Sequence, residues 1–390
     1  MVLALSWFFG CTQEPKKPVK IGILHSLTGT MAASEQPLVD AMTLAIEEIN
    51  HAGGILGRPL QTVVADTQSD PHTAAQAAER LIVEEQVAAL FGCWTSACRL
   101  EVKAVVERRQ HLLFYPLQYE GMERSSHIIY TGATPNQQII PALLWAMEQL
   151  GPRLYLIGSD YLFPHAANRL IRTLAPSQGG KIVAERYLPM GSGQVEPIIT
   201  EISTLQPDVV LNTINGDSNV AFFNALEQAN RNAVKPVAVL SFSIAEVELA
   251  QHPGLMQGHY AAWGYFQSID SPRNRAFIHR FRSRFGQNRV LDDPMEAAYV
   301  GVHLWAQGVN DAQTIAPDRV SRAVLHQSLQ APQGIVSLDA ATRHLWRTVR
   351  IGRAQADGQF ALLWSSERPV RPSPFPAWLD KPRADTQPVP

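Results

Sequence analysis

The chain has 390 residues with 46% apolar content, which exceeds what one hydrophobic core usually serves, so we expect two domains. With 33 Lys and Arg against 35 Asp and Glu, the formal net charge is -2. Such a charge gives no field that would attract phosphate backbones, and nucleic acid is therefore excluded as an expected partner. No apolar stretch reaches the roughly 20 residues needed to span a bilayer.

The N-terminus carries a candidate export signal. Residues 1–10 form a short apolar run that ends at Cys11 and is followed by the polar stretch TQEPKKP. This arrangement is typical of the end of a bacterial lipoprotein signal, in which the cysteine is lipidated and becomes the mature N-terminus. It predicts a periplasmic or extracytoplasmic protein, with the membrane reached only through a lipid anchor at Cys11. No Lys or Arg precedes the apolar run, so a leading strand with an incidental cysteine remains the alternative.

The other two cysteines, Cys93 and Cys98, lie in the segment FGCWTSAC. A disulfide between them is possible in an oxidising compartment. A helix start between them would hold the sulfurs apart, which favours two unpaired, partly buried thiols. Both alternatives stay open at this point.

The first third of the chain alternates buried strands with amphipathic helices. Strands are predicted at 19–25, 60–65, 87–92, 111–115 and 127–130. Helices are predicted at 36–51, over the face formed by Ala74, Ala77, Ala78, Leu81 and Ile82, and at 99–109. This order requires a parallel sheet with helices on both faces.

A second series of the same kind follows, and then a block of helices and strands. The series has helices at 138–150, 162–174, 195–204 and 218–230, with strands at 153–159, 181–188, 208–214, 236–242 and 259–266. The late block has helices at 272–286, 293–309 and 317–328, and strands at 333–338, 346–352 and 359–364. Helices followed by strands indicate that the chain returns between lobes, with crossovers near 133–137, 262–267 and 329–334.

The predicted fold class is therefore α/β, with two doubly wound parallel-sheet lobes joined by three crossover segments. The assigned segments are 1–18 as signal-like segment and linker, 19–134 plus 265–330 as lobe 1, 135–264 plus 331–368 as lobe 2, and 369–390 as a weakly ordered Pro-rich tail.

Motifs for chemistry are missing from the sequence. It contains no GxxxxGK[ST], GxGxxG, HExxH or GxSxG pattern, so we expect no bound nucleotide, no catalytic zinc and no serine nucleophile. We therefore predict neither an enzyme nor a cofactor or metal.

The loops that follow strands carry uncharged hydrogen-bonding and aromatic groups instead. In open parallel sheets, ligands bind beyond the carboxyl ends of the strands. The candidate ligand-binding residues there are Trp94, Thr95, Ser96, Tyr115, Gln118, Asp160, Tyr161, Asn215, Ser241 and Glu246. For single residues a helix N-cap is an equally good interpretation, above all for Ser96, Ser218 and Ser243. Several loops with such groups at one level favour a site that holds a small molecule.

Longer segments resemble a known family. The stretches IGILHSLTGT and DAMTLAIEEINHAGGILGRPLQTVVADTQSDP resemble the branched-chain amino acid and amide group of type I periplasmic binding proteins, the receptors of ABC importers. Within that group, GCWTSACR, FYPLQYEGMERS, GSDYLFP and NTINGDSNVAFF are similar to the urea-transporter substrate-binding proteins, and the likeness runs from about residue 19 to residue 376. It implies capture of urea and its delivery to ABC permease subunits. The alternative is a receptor or regulatory sensor for short-chain amides.

The resemblance also implies roles for single residues. Ser96 matches the serine that bonds the ligand from the first lobe, and Trp94 matches an aromatic wall. Tyr115 and Gln118 lie in the segment that the urea receptors share, whereas Leu117 stands where amino acid receptors have a threonine. From the second lobe, the residues that match ligand-facing positions are Asp160, Tyr161, Ser241 and Glu246.

Overall fold

The structure is a computed structural model that describes residues 16–231 and 233–376. Cys11 lies outside these residues, as does most of the Pro-rich segment 369–390. In the described part, the chain forms two β-sheets with helices packed against them.

Strands β1 to β15 follow one another along the described residues. They are β1 (Val19–His25), β2 (Leu60–Asp66), β3 (Leu90–Gly92), β4 (Leu113–Tyr115), β5 (Ile128–Tyr130), β6 (Arg153–Ser159), β7 (Lys181–Leu188), β8 (Val209–Thr213), β9 (Ala238–Ser241), β10 (Tyr260–Trp263), β11 (Ser328–Ala331), β12 (Gly334–Asp339), β13 (His344–Trp346), β14 (Arg350–Ala354) and β15 (Phe360–Ser365).

The helices cover the faces of the two sheets. They are α1 (Ala32–His51), α2 (Pro71–Val83), α3 (Ser96–Arg108), α4 (Ile139–Gln149), α5 (Leu162–Leu174), α6 (Glu196–Leu205), α7 (Ser218–Arg231), α8 (Glu246–Gln251), α9 (Pro272–Phe285), α10 (Asp293–Ala312) and α11 (Pro317–Ala323). Helix α10 is buried on nearly all sides and packs against α1 and α11, so it forms the centre of the first lobe.

The two sheets share one topology. The first has the order β11-β12-β13-β5-β4-β3-β1-β2, and the second β15-β14-β10-β9-β8-β6-β7. In each sheet the five strands of the repeated unit are parallel. In the first sheet β13 adds to β5 in parallel, followed by the antiparallel pairs β13–β12 and β12–β11, whereas in the second sheet β14 and β15 extend the edge as antiparallel strands. The predicted pair of doubly wound α/β lobes is confirmed.

The strand order sets the place for a ligand. In each lobe the order reverses between the first and third strands of the unit, which are β1 and β3 in lobe 1 and β6 and β8 in lobe 2. Ligands of open parallel sheets bind at such a switch point, beyond the carboxyl ends of the strands. Trp94 follows β3 and Asn215 follows β8, so the two loops that carry them meet at this level.

The third crossover is the main difference from the predicted chain path. Strands β12 and β13 hydrogen-bond within the first sheet, and the chain passes to the second sheet only between Trp346 and Arg350. The assignment of 331–368 to lobe 2 and a crossover near 329–334 are therefore wrong for residues 334–346. The physical reason is that the predicted strand at 346–352 is two strands in different sheets, divided at the hinge.

The Pro-rich segment begins by packing on the fold rather than as a weakly ordered tail. Val370 forms a backbone bridge with Arg347, and the amide N–H of Met122 donates to the carbonyl of Pro374 at 2.8 Å. The guanidinium of Arg124 lies 4.6 Å from the ring centroid of Phe375. The prediction of a loose tail is corrected for residues 369–376.

Candidate functional site

The carboxyl ends of the two sheets meet in a buried seam between the lobes. Trp94 Nε1 donates to Asn215 Oδ1 at 3.2 Å, and Gln118 Nε2 donates to the carbonyl of Phe242 at 2.9 Å. Trp94, Gln118 and Asn215 are all buried. The lobes are thus closed on each other through direct hydrogen bonds between candidate residues.

A tight loop presents Trp94, Thr95 and Ser96 to this seam. A Cβ atom on Gly92 would lie 2.0 Å from the carbonyl oxygen of Leu24, so only glycine permits the approach of β3 to β1 that starts the loop. Cys93 and Cys98 form a disulfide with a Cα–Cα distance of 5.6 Å. The favoured interpretation of two unpaired thiols is wrong, because the loop folds back by one turn and brings the sulfurs together.

Thr95 has a structural role in the same loop. Its Oγ1 accepts from the amide N–H of Cys98 at 3.1 Å and caps the N-terminus of α3. Ser96, the first residue of α3, is buried, and its hydroxyl bonds the side chains of Glu120 and Arg99 rather than the backbone of the helix N-terminus. The N-cap alternative therefore applies to Thr95 and not to Ser96.

Two tyrosines form walls of the seam. The hydroxyl of Tyr115 donates to the carbonyl of Trp94 at 2.6 Å, which holds the loop that carries Trp94 against β4. Tyr161, from the second lobe, is partly buried. Burial raises the pKa of the Tyr161 hydroxyl well above its usual range, and the nearby Tyr115 and Glu120 add to the shift.

Ser96 belongs to a buried charge network that the sequence analysis did not identify. Its Oγ donates to Glu120 Oε2 at 2.6 Å and accepts from Arg99 Nη1 at 3.1 Å. Arg99 is fully buried, and its Nη2 donates to Glu120 Oε1 at 2.5 Å. Burial opposes the charged form of Arg99, but the combined effect of Glu120, Tyr115 and Glu123 is larger and raises the arginine pKa.

A second carboxylate completes the network. Arg99 Nε donates to Glu123 Oε1 at 3.1 Å, which also accepts from the Tyr130 hydroxyl at 2.6 Å. Lys103 Nζ lies 3.7 Å from Glu123 Oε2. Charged residues in a loop and a helix are usually solvated, so their burial was not expected. Their position in the sequence could have indicated them, because both glutamates lie in the loop that joins β4 to β5.

Three predicted residues lie away from the centre of the seam. Asp160 is exposed and its Oδ1 is 2.7 Å from His165 Nε2 on the surface of the second lobe. Ser241 is buried and accepts from Asn212 Nδ2 at 3.1 Å within its own lobe. Glu246 is buried and accepts from the amide N–H of Gln267 at 2.7 Å, near the second crossover.

A groove of about 630 Å³ opens beside the seam. Its lining comes from α3, the loop 120–124 and α5, and therefore from both lobes. Glu120 belongs both to the groove and to the Ser96 network. The groove is thus the side from which solvent reaches the network.

The three crossovers are joined by one buried ion pair. Arg347, in the third crossover, donates through Nη2 to Asp293 Oδ2 and through Nη1 to the carbonyl of Thr131 in the first crossover at 2.9 Å. The same Asp293 oxygen accepts from the amide N–H groups of Gly264 and Tyr265 in the second crossover at 2.9 and 2.7 Å. A change in the angle between the lobes must therefore bend the three crossover segments about this ion pair.

Glu296 lies next to the ion pair and makes a pH dependence testable. It accepts from Gln333 Nε2 at 2.6 Å, and burial raises its pKa from 4.5 to about 7, against the opposing effect of Arg347. Because the carboxyl pKa is higher in the folded state than in the unfolded state, Glu296 stays protonated to a higher pH when the protein is folded. Its contribution to the free energy of unfolding is fully present below pH 4.5 and is lost as the pH rises to about 7. We expect a loss of up to about 3 kcal/mol from this group.

Thermal unfolding of the wild type and Glu296→Gln at pH 5, 6, 7 and 8 measures this loss. The melting temperature of the variant relative to the wild type should increase with pH, because glutamine cannot ionise. Two curves that stay parallel over this range would show that Glu296 titrates at the same pH in both states.

Two negative findings concern the described residues 16–231 and 233–376. No group of three or more His, Cys, Asp or Glu side chains there could hold a metal ion. No helix within the same residues is long and apolar enough to cross a membrane.

Residues 19–381 match the family model described as periplasmic binding protein domain. The chain belongs to this periplasmic binding protein family. A full-length relative is the Leu/Ile/Val-binding protein homolog 6 of Brucella melitensis, with 22% identity over 354 residues that cover 87% of this chain and 88% of that protein.

A shorter match has a different name. A limonene hydroxylase of Geobacillus stearothermophilus is 33% identical over 118 residues, which cover 30% of this chain and 22% of that protein. Because the match spans only about a fifth of that protein's length, it carries no argument about activity.

Solved structures of periplasmic binding proteins show the same fold. A solute-binding protein of an ABC transporter from R. palustris, in complex with 4-hydroxybenzoate, has a TM-score of 0.83 at 21% identity and covers 91% of this chain and 98% of that chain. A branched-chain amino acid transporter substrate-binding protein from Streptococcus pneumoniae, in complex with isoleucine, has a TM-score of 0.77 at 19% identity, with 90% and 99% covered.

Family membership confirms two predictions. The two lobes have the type I periplasmic binding protein architecture. The chain is a periplasmic binding protein, which is the predicted class of protein that binds a small ligand.

Proposed function

We propose that this periplasmic binding protein captures urea and delivers it to an ABC permease. The observation that carries the proposal is a set of buried acceptor oxygens in the closed seam. Gln118 Nε2 and Gln138 Nε2 both donate to the carbonyl of Phe242, at 2.9 and 3.3 Å. Because a carbonyl only accepts, both amides must direct Nε2 to it, and Oε1 of each is buried without a hydrogen-bond partner.

Such oxygens favour a ligand rich in N–H donors. A buried acceptor without a donor costs about 1–3 kcal/mol, which a donor from the ligand would recover. Urea offers four N–H donors and one carbonyl on a planar frame, and aromatic side chains suit its two faces. Trp94, Tyr115 and Tyr161 are the aromatic residues that we propose for this contact.

The same seam is poorly suited to an amino acid or a benzoate. A buried carboxylate needs donors or a free cation. Arg99 already bonds Glu120 and Glu123. Leu117, buried beside Gln118, is the residue that the resemblance matches to a threonine of amino acid receptors. We therefore expect no binding of 4-hydroxybenzoate or isoleucine, the ligands in two of the structurally similar proteins.

A receptor or regulatory sensor for short-chain amides is the second candidate, because acetamide offers N–H donors of the same kind. Lipidation at Cys11 and a periplasmic location belong to the urea-receptor proposal, whereas a sensor needs neither. Membrane fractionation of the wild type and Cys11→Ala separates them: a membrane-bound wild type with a released variant supports the receptor.

A thermal-shift screen with urea, thiourea, acetamide, isoleucine and 4-hydroxybenzoate tests the ligand class. A ligand that binds the folded state raises its stability by RT ln(1 + [L]/Kd). We expect the largest increase with urea, a smaller one with acetamide and none with the two carboxylates. An increase with isoleucine alone would contradict the proposal.

A further inference from the structure

The hydroxyl of Ser96 has only one proton, and the structure shows where it goes. Its Oγ donates to Glu120 Oε2 at 2.6 Å and accepts from Arg99 Nη1 at 3.1 Å. The direction follows from chemistry, since a guanidinium only donates and an ionised carboxylate only accepts. Ser96 therefore has no proton left for a ligand and can offer only a lone pair.

Arg99 cannot supply the positive charge that a ligand carboxylate would need. Its Nη2 and Nε bond Glu120 Oε1 and Glu123 Oε1, at 2.5 and 3.1 Å. Its guanidinium lies 5.0 Å from the ring centroid of Tyr115 and 4.6 Å from that of Tyr119. The guanidinium of Arg99 is thus already paired with two buried carboxylates and packed against two aromatic rings.

We propose that Glu120 determines the ligand class. It accepts the one hydrogen bond that the Ser96 hydroxyl can donate, so the Ser96 oxygen can only accept from ligand N–H groups. This inference rests on the proposed function and names the residue behind its selectivity. A neutral amide can donate to Ser96, whereas a carboxylate of the same shape finds a lone pair there and the negative charge of Glu120 beside it.

Acetamide and acetate form the matched ligand pair for the test, since they have the same shape and differ in charge. Glu120→Gln keeps the side-chain shape, removes the charge and lets the new amide donate to Ser96 Oγ, which releases the serine proton. By isothermal titration calorimetry at pH 7, we expect acetamide to bind Glu120→Gln at least tenfold more weakly than the wild type. Acetate binding should become measurable.

Glu123→Gln is the control variant. It removes an equal charge from the same Arg99, but Glu123 has no contact with Ser96. We expect a smaller loss of acetamide affinity than with Glu120→Gln and no acetate binding, because the Ser96 hydroxyl still donates to Glu120. Equal effects of the two variants would overturn the inference, because net charge and not the Ser96 proton would then determine the ligand class.

Ser96→Ala covers the case in which Glu120→Gln does not fold. It leaves the pairing of Glu120 with Arg99 intact and removes only the acceptor, so acetamide should bind at least tenfold more weakly with no gain of acetate binding. Unchanged acetamide affinity, or a gain of acetate binding, would overturn the inference.

The wild type separates this inference from the proposed function. A wild type that binds acetamide but not urea contradicts the urea proposal alone, since the role of Glu120 concerns neutral against charged ligands. A wild type that binds acetate as tightly as acetamide contradicts both.

Discussion

Replacing Arg347 with methionine is expected to lower the free energy of unfolding by about 3–5 kcal/mol, the cost of removing one partner of a buried ion pair. The side chains of Arg347 and Asp293 are 1% and 3% exposed. Without the guanidinium, the described hydrogen-bond donors left to the buried Asp293 side chain are the two amide N–H groups of the second crossover. The carbonyl of Thr131 also loses its donor.

The variant should affect lobe closure as well as stability. All three crossovers bond to the pair Arg347–Asp293, so its loss removes the only described side-chain link that reaches each of them. We expect weaker ligand binding, because the ion pair that joins the crossovers no longer stabilises the closed arrangement of the lobes.

Arg371→Met is the matched control. It removes another Arg–Asp pair, with Nε of Arg371 at 3.0 Å from Asp339 Oδ2, but the arginine side chain is 64% exposed. Asp339 is only 6% exposed, but it keeps the amide N–H groups of Ala341 and Thr342 as donors. Pairs made by an exposed cation contribute about 0–1 kcal/mol, so guanidinium chloride unfolding should show little change. Guanidinium is the suitable denaturant, since urea is the proposed ligand. Equal losses in both variants would contradict the role of Arg347.

Trp94→Ala is expected to weaken urea binding by roughly 30-fold, equivalent to about 2 kcal/mol for the loss of a buried aromatic face. The indole also links the lobes through Nε1 to Asn215 Oδ1. Trp94→Phe keeps an aromatic face and loses only that hydrogen bond, so we expect a smaller loss, of about 1 kcal/mol.

Trp364→Ala provides the comparison for an aromatic residue outside the seam. Trp364 lies on the edge strand β15 and is 37% exposed. Calorimetry should give urea affinity equal to that of the wild type. If Trp94→Ala bound urea as tightly as Trp364→Ala, the seam would not be the binding site.

Local patterns predicted most of the elements because their causes are local. The strand Val19–His25 and the helix Leu162–Leu174 have the predicted bounds, since apolar runs and helical spacing determine them directly. The run near 346–352 could not be divided, because only the packing at the hinge decides that His344–Trp346 pairs in one sheet and Arg350–Ala354 in the other.

The site shows the same limit. Position after a strand identified Trp94, Ser96 and Gln118, which the topology then brings to the seam. The same rule also selected Asp160, which ends exposed, because position gives the edge of the sheet but not the direction of a side chain.

The buried Arg99 and Glu120 were missed because a charge is buried only when its partners are buried with it. Those partners come from a helix and a loop about 21 residues apart, and no short pattern relates them.

Titration of the wild-type protein with urea by isothermal calorimetry tests the central claim most directly. A ceiling of about -1.5 kcal/mol per non-hydrogen atom limits urea to roughly -6 kcal/mol, a Kd on the order of tens of micromolar. We predict saturable heat at one site with an affinity near that limit, and none with isoleucine or 4-hydroxybenzoate. Saturable binding of either carboxylate, with no heat from urea, would contradict the account.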